Sequence, residues 1–199
     1  MVSLIELDVN SDDSIVAAVK KIESDYGVID VLINNAGICP NYEFGKPGLR
    51  DQLRRTFETN VFGAMVLSEA VAPLLERSNN PQIVNISSGL GSIGGRSVSE
   101  SPYYPVTFDP YRMSKSALNM MTQCQNYNLK RFGVKCWAFC PGYVVTNLTG
   151  EEDRQNRINN GALRPEVSAK GIKEVIEGTR VEEPTKFLTV QDLGGGWPW

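Results

Sequence analysis

A tyrosine and a lysine four residues apart, Tyr111 and Lys115, carry the strongest chemical signal in this 199-residue sequence. Their segment has a helical pattern, and residues four apart share a helix face, so the phenol and the ammonium can converge. A nearby cation favours the phenolate, so we expect Lys115 to lower the pKa of Tyr111 from its ordinary value of about 10. Tyr111 would then give and take protons near neutral pH. The spacing alone is weak, because most Tyr-x-x-x-Lys pairs lie on protein surfaces.

The sequence contains no histidine, and this excludes several chemistries. A Ser-His-Asp triad, a Cys-His pair and a zinc site built on imidazole all require that residue. General acids and bases must therefore come from Asp, Glu, Lys, Tyr or Cys. The four cysteines form no Cys-x-x-Cys pair, so we expect reduced thiols of a cytoplasmic protein and no metal site.

Charge and hydropathy exclude two classes of partner. The 20 basic residues are scattered among 23 acidic ones, for a net charge of −3, whereas a nucleic-acid-binding surface needs clustered Lys and Arg. No apolar run approaches the roughly 20 residues that span a bilayer, and the N-terminus lacks a signal-peptide pattern. We therefore expect a cytoplasmic protein that binds neither nucleic acid nor membrane.

Four more polar segments stand at the ends of predicted strands or in the helix between them. The turn Asn34-Asn35-Ala36-Gly37 follows an apolar strand, Asn60 lies in the next helix, and Ser87-Ser88 ends another strand. The segment from Pro141 to Thr146 follows the next strand. In open α/β sheets the carboxyl ends of the strands share one edge, where ligands bind. These segments are therefore predicted to gather at one edge of the sheet with the tyrosine and the lysine.

Short apolar runs alternate with helical patterns along the chain, and this predicts an α/β fold. Ser11 supplies an N-cap for the first helix, and Gly27 ends it. The uninterrupted apolar run at 28–33 is typical of a parallel strand covered on both faces. We predict one domain over residues 1–199, a truncated Rossmann-like, doubly wound parallel sheet in a three-layer αβα arrangement. The predicted strands are 3–8, 28–33, 82–87, 134–140 and 186–190, and the predicted helices are 12–26, 49–76, 109–132, 151–160 and 165–177.

Together and in this order, the motifs resemble those of the short-chain dehydrogenase/reductase family, in particular its carbonyl-reductase-like members. The resemblance covers nearly the whole chain. It implies that Ser88 binds and polarises a substrate carbonyl, that Tyr111 transfers the proton, and that Lys115 holds the nicotinamide ribose of the cofactor. It also implies that Asn60 supports a water-linked proton relay. The alternative is that Asn60 bridges an irregularity in its helix.

The resemblance also assigns residues to an NADP or NAD cofactor. The turn at 34–37 would line the cofactor, or Asn34 and Asn35 would only tie the sheet edge together. Val144 and Thr146 would face the nicotinamide amide, and Asp8 matches the position that contacts adenine. The implied cofactor-binding residues are Asp8, Asn34, Asn35, Ala36, Gly37, Pro141, Gly142, Val144 and Thr146.

The start of the sequence departs from the family pattern. The family's opening βαβα segment, whose Gly-rich turn receives the dinucleotide phosphates at a helix N-terminus, is missing, so we expect a sheet without the family's first two strands. We therefore predict that the strand Ser3–Asp8 pairs directly and in parallel with the strand at 28–33. That pairing would move Asp8 away from any adenine position.

The connection from Ser88 to Tyr111 is longer than in the simplest family members. Its aromatic residues Tyr103, Tyr104 and Phe108 suit an apolar or aromatic substrate if the segment forms a lid, and the alternative is a passive surface loop. The connection begins with a G-x-G-x-x-G match at 89–94. A loop rather than a long helix is predicted to follow, so we do not interpret it as a phosphate-binding turn.

Three functions remain open at this level. The first is NADP(H)-dependent reduction of a carbonyl, or oxidation of an alcohol, on a small apolar or aromatic molecule. The second is cofactor-independent acid–base chemistry with Ser88, Tyr111 and Lys115, such as cyclisation, isomerisation or dehydration, so that no cofactor is needed. The third is a non-catalytic remnant or a partner subunit. The resemblance favours the first, and it also implies a homo-oligomer built on the helices at 49–76 and 109–132.

Overall fold

The computed structural model describes residues 2–41, 43–101, 103–179, 187–190 and 199, which form an α/β fold. Its four described strands form one parallel sheet, in which each strand pairs with the next one along the chain. The strands are β1 Val31–Asn34, β2 Gln82–Ile86, β3 Lys135–Cys140 and β4 Phe187–Thr189; the helices are α1 Asp12–Tyr26, α2 Leu49–Phe57, α3 Ala64–Leu75, α4 Ile93–Ser97, α5 Asp109–Leu129, α6 Arg154–Asn159 and α7 Pro165–Ile176.

Alternate residues along the strands face opposite helical layers. Ile83 and Cys136 pack with α1 and α3 on one face of the sheet, whereas Val84 and Trp137 pack with α7 on the other. Asn85 of β2 points to the first face, where it donates hydrogen bonds to two side chains of α5. The predicted three-layer αβα arrangement around a parallel sheet is therefore confirmed.

Local sequence signals explain where several helices begin and end. Ser11 caps α1 by accepting a hydrogen bond from the Ser14 N–H at 3.3 Å, and Gly27 ends α1 with a left-handed φ of 73°. Helix α5 begins at Asp109, where the predicted helix begins, and Phe108 is its N-cap. The predicted helix at 49–76 is continuous but contains a π-helical turn, Glu58–Gly63, between α2 and α3.

The prediction that Ser3–Asp8 forms a strand paired with β1 is wrong. Residues 2–8 carry no regular secondary structure, and β1 is hydrogen-bonded only to β2 within the described residues. The physical reason lies at Val9, whose backbone rests on Gly63: a Cβ added to Gly63 would lie 2.6 Å from the Val9 carbonyl oxygen. That contact holds the segment on the helical layer and leaves a gap of about 170 Å³ between it and β1, the edge cavity, lined by Leu7, Val9 and Ile33 among others.

Asp8 shapes the turn into α1 instead of ending a strand. Its backbone N–H donates to the Ser14 hydroxyl at 2.9 Å, and its carboxylate accepts from the Asn10 N–H at 2.9 Å. The last strand was predicted at 186–190, and β4 spans Phe187–Thr189. Lys186 lies outside the described residues. Among the helices of the described ranges, none has the length and apolar character needed to cross a membrane.

We expect Gly63→Ala to destabilise the fold, although Ala is the better helix former. The propensity gain is about 1 kcal/mol, whereas forcing a methyl group against the backbone of Val9 costs about 1–3 kcal/mol. Urea unfolding should therefore show a lower free energy of unfolding, and the amides of residues 9–11 should lose protection from hydrogen exchange. A variant more stable than the wild type would show that the structure accommodates the added methyl group beside Val9 without a loss of free energy.

Candidate active site

Lys115 is held in a buried position by α5 and the loop after β2. Lys115 is only 5% exposed, and its Nζ donates to the Ile86 carbonyl at 2.8 Å. Gly91 lets the loop approach, since a Cβ there would lie 2.7 Å from the carbonyl carbon of Lys115. Burial lowers the pKa of Lys115 to about 8, and no carboxylate contributes to that shift. An ammonium that still carries its charge at pH 7 thus lies at the carboxyl edge of the sheet.

Tyr111 lies one helical turn before Lys115, and its phenol is buried. The Lys115 Nζ lies 5.6 Å from the centre of the Tyr111 ring. Burial raises the pKa of Tyr111, and this effect outweighs the hydrogen bond with Ser88 and the charge of Arg157, which lower it. The expectation that Lys115 depresses this pKa is therefore wrong, because spacing along a helix says nothing about desolvation. The phenol keeps its proton at neutral pH.

The two serines that end β2 have different environments. Ser87 is buried and donates to the Asn119 Oδ1 of α5 at 2.5 Å, so it ties the strand to the helix. Ser88 accepts a hydrogen bond from the Leu90 N–H at 3.2 Å, and its hydroxyl acts to lower the pKa of Tyr111. Ser88 is thus the serine that faces the candidate acid.

Asn60 occupies the π-helical turn and holds the loop after β1. Its Oδ1 accepts from the Ile38 N–H at 2.8 Å, and its Nδ2 donates to the Ile38 carbonyl at 2.9 Å and to the Ser114 hydroxyl at 2.9 Å. These contacts support the alternative in which Asn60 bridges a helix irregularity. They bring it near the site without pointing a free amide N–H into it, and its part in a proton relay stays a prediction.

The residues of the turn at 34–37 have different environments. Asn34 is buried and donates to the Asn85 Oδ1 at 2.8 Å and the Ser68 hydroxyl at 3.0 Å, so it ties β1 to β2 and α3. Ala36 faces the edge cavity. Asn35 and Gly37 line the cavity that contains Lys115.

Two larger cavities meet at Tyr111. The first, which we call the lysine cavity, has a volume of about 320 Å³. The second, the aromatic cavity, has a volume of about 360 Å³. Ser88, Tyr111, Gly142, Leu148 and Arg157 line both. The predicted residues Asn35, Gly37, Lys115, Pro141, Val144 and Thr146 line the lysine cavity, whereas Asp8 lines neither.

The long connection after Ser88 forms a wall of the aromatic cavity. Tyr103, Val106 and Phe108 line it, whereas Tyr104 is exposed. The Arg112 guanidinium fixes this wall by donating to the carbonyls of Tyr103 at 2.9 Å and Val106 at 3.0 Å. The alternative that this segment is a passive surface loop therefore does not apply to Tyr103, Val106 and Phe108, which line the cavity.

Sequence reasoning missed several residues of the aromatic cavity. Arg157 lies on the short helix α6, and nothing in its local pattern distinguishes it from the exposed Arg154 of the same helix. Cys39 follows the Asn-Asn-Ala-Gly turn by two residues, and burial raises its pKa to about 12, so it is a neutral thiol. The described residues contain no group of three or more His, Cys, Asp or Glu side chains able to hold a metal ion.

Comparison with known proteins identifies the family. Residues 1–157 match the family model described as short chain dehydrogenase. The short-chain dehydrogenase/reductase tropE of Talaromyces stipitatus is 35% identical over 196 residues, which cover 92% of this chain and 71% of that protein. The short-chain dehydrogenase anuI of Penicillium roqueforti is 39% identical over 188 residues, which cover 92% of this chain and 74% of that protein.

Solved structures agree with the sequence relatives. An NADPH-bound carbonyl reductase from chicken fatty liver matches with a TM-score of 0.83 and 27% identity, over 99% of this chain and 77% of that one. The Drosophila melanogaster carbonyl reductase Sniffer matches with a TM-score of 0.80 and 27% identity, over 98% of this chain and 77% of that one. The chain therefore belongs to the short-chain dehydrogenase/reductase family of oxidoreductase enzymes, as the motifs predicted.

The pKa of Lys115 predicts a pH-dependent stability difference. The unfolded chain holds the Lys115 proton up to its ordinary pKa of 10.5, whereas the folded protein releases it at about 8. Burying the ammonium therefore costs stability below pH 8, and the cost disappears as the pH rises from 8 towards 10.5. We expect Lys115→Met to gain about 3 kcal/mol over the wild type at pH 7, and we expect the gain to shrink above pH 8.

Denaturant unfolding of both proteins between pH 7 and pH 10 checks this expectation. The phenol and thiols titrate in both proteins, so they largely cancel in the difference. Lys170→Met, at a highly exposed lysine, is the matched control and should show no pH-dependent difference. A constant difference for Lys115→Met across this range would mean that Lys115 keeps an ordinary pKa in the folded protein.

Proposed function

We propose that this chain is an NADP(H)-dependent reductase that converts the carbonyl of a small, apolar or aromatic molecule to an alcohol, or catalyses the reverse oxidation. The observation that carries the proposal is the buried, protonated phenol of Tyr111 beside Ser88, where the two cavities meet. A neutral phenol at that place is a proton donor for a carbonyl oxygen. The likeness to an NADPH-bound carbonyl reductase supports the same assignment.

The lysine cavity suits the nicotinamide and ribose half of a dinucleotide. An ammonium has three N–H groups. Lys115 donates one of them to the Ile86 carbonyl, which leaves two donors for ribose hydroxyls. Gly37 keeps this space open, because a Cβ there would lie 3.6 Å from the Lys115 Nζ. The Thr146 hydroxyl and the backbone around Gly142 and Val144 offer polar groups for the carboxamide. We assign Asn35, Gly37, Lys115, Pro141, Gly142, Val144 and Thr146 to this half of the cofactor.

The chain's own residues complete the reaction around the substrate oxygen. Bound NADPH supplies the hydride, for which no side chain is a source. In the aromatic cavity, the hydroxyls of Ser88 and Tyr111 donate hydrogen bonds to the carbonyl oxygen and so favour the negative charge that develops on it. The Tyr111 phenol would give its proton to that oxygen, which completes the O–H bond of the alcohol and leaves a phenolate on Tyr111. The Lys115 ammonium then stabilises the phenolate until a proton returns.

The character of the aromatic cavity defines the proposed substrate class. Its wall of Leu90, Tyr103, Val106 and Phe108 is mostly apolar. A volume near 360 Å³ lies at the small end of ligand pockets, which span roughly 300–1,000 Å³. A single aromatic ring with a short carbonyl-bearing chain suits this space.

We also propose a homo-oligomer in which α3 and α5 pack against a second copy. The supporting observation is a set of large apolar side chains exposed on these helices and the π-helical turn, namely Phe62, Val66, Met113, Met120 and Tyr127. A cytoplasmic location stays a prediction from the sequence.

We expect Tyr111→Phe to lower kcat for carbonyl reduction by about 10²- to 10⁴-fold, the usual contribution of a general acid, while cofactor binding changes little. Loss of NADPH absorbance with the neutral diketone phenylpropanedione measures the rate. Tyr26→Phe, at an exposed tyrosine of α1 that lines neither cavity, is the control and should keep wild-type activity. Full activity of Tyr111→Phe would refute the assigned role.

Calorimetric titration with NADPH and NADH separates the proposal from its alternatives. We expect NADPH to bind more tightly than NADH, with either cofactor competent for hydride transfer. Absence of binding at millimolar concentrations of both, combined with Tyr111-dependent conversion of a substrate without cofactor, would instead support cofactor-independent acid–base chemistry. Absence of both binding and conversion would support a non-catalytic subunit.

A further inference from the structure

A buried arginine faces the junction of the two cavities and has no role in the chemistry above. Arg157 of α6 has a side chain only 8% exposed, and it lines the lysine cavity and the aromatic cavity next to Ser88 and Tyr111. Its positive charge reaches the reacting group, because it is one of the influences that lower the pKa of Tyr111. A buried cation beside an acid–base residue is costly unless it has a partner.

The protein fixes the Arg157 guanidinium but does not use all of its donors. Nε lies 3.1 Å from the Asp153 carboxylate and 3.1 Å from the Thr149 hydroxyl, and Nη2 donates to the same hydroxyl at 2.7 Å. Nη1 donates to the Val144 carbonyl at 2.9 Å. A guanidinium carries five N–H groups, so among the described contacts one N–H on Nη1 and one on Nη2 have no acceptor.

The charge of Arg157 is only partly balanced on the cavity side. Asp153 approaches Nε, and its side chain is 33% exposed, so water screens its charge. None of the described residues that line either cavity is an aspartate or a glutamate. The aromatic ring of Tyr143 lies 5.3 Å from the guanidinium carbon. The cavity therefore presents a fixed cation among apolar and aromatic surfaces.

We propose that Arg157 binds a carboxylate of the substrate, which makes aromatic oxo acids the preferred substrates of this site. The inference rests on the proposed carbonyl reduction and names its substrate class. Two N–H groups on adjacent nitrogens of a planar guanidinium match the two oxygens of a carboxylate. The carboxylate supplies the missing countercharge, and the carbonyl beside it faces Ser88 and Tyr111. Arg157 thereby determines specificity and takes no part in proton transfer.

Two substrates that differ in charge test the proposal. Phenylglyoxylate and the neutral diketone phenylpropanedione both place a carbonyl on an aromatic ring. We expect the wild type to prefer phenylglyoxylate, with kcat/KM at least about tenfold higher. Arg157→Met should lower kcat/KM for phenylglyoxylate by about 10- to 100-fold, as expected for a hydrogen-bonded charged group, and change that for the diketone less than about threefold. Arg154→Met, at the exposed arginine of the same helix, should keep the wild-type preference.

Arg157 also holds Thr149 and Val144, so a second variant guards against a loss that merely reflects misfolding. Arg157→Lys keeps the charge but loses the paired donors, and should retain part of the preference. Binding of benzoate to the wild type and to both Arg157 variants, measured by calorimetry, gives a readout that does not require turnover. We expect benzoate affinity to fall in the order wild type, Arg157→Lys, Arg157→Met.

The outcomes separate this inference from the proposed function. A wild type that reduces the diketone as well as the oxo acid would overturn the role of Arg157 and leave carbonyl reduction intact. A higher KM for NADPH in Arg157→Met, with an unchanged preference between the substrates, would also overturn it, because the guanidinium would then serve the cofactor. If neither compound is reduced, carbonyl reduction fails, and equal benzoate binding by all variants would overturn the carboxylate site as well.

Discussion

The buried ammonium of Lys115 is the constraint on which the rest of the site depends. Its charge is removed from water with no carboxylate contributing to its pKa, and its Nζ donates to the backbone carbonyl of Ile86. Holding it there requires the loop after β2 to touch the α5 backbone, which only glycine allows at position 91. The same approach places Ser88 against Tyr111. The close contact between Gly91 and the α5 backbone thus fixes the positions of the Lys115 amine, the Tyr111 phenol and the Ser88 hydroxyl.

A buried polar network supports this arrangement from behind. Asn85 accepts from Asn34 and donates to Thr122 and Gln125, so side chains join β1, β2 and α5 at the carboxyl ends of the two strands. Within the described residues the Asn34 Oδ1 and the Gln125 Nε2 have no hydrogen-bond partner, so the network is only partly satisfied, and its value lies in fixing one packing arrangement. The hydrophobic clusters on both faces of the sheet lie below this layer. The polar residues therefore hold the carboxyl edge in register, and the apolar core supplies the stability.

Local sequence signals predicted the elements and the catalytic motif but not the environments of the residues. The cap at Ser11 and the stop at Gly27 depend only on neighbouring residues, and both were predictable. The prediction of a strand at 3–8 was wrong, because an apolar run does not show whether its backbone reaches a partner strand. Here Val9 packs against Gly63 instead. The direction of the Tyr111 pKa shift depends on burial by distant segments. Arg157 was missed for the same reason, since its position depends on the loop that carries Thr149.

The central claim is that Tyr111 protonates a carbonyl oxygen while the carbonyl carbon receives a hydride from NADPH. The most direct measurement uses NADPH that carries deuterium at both C4 positions of the nicotinamide, followed by mass and NMR analysis of the product. The account predicts an alcohol with one deuterium on the carbinol carbon and the hydroxyl proton from solvent. Product formed with no deuterium at that carbon, or formed at the same rate without NADPH, would contradict it.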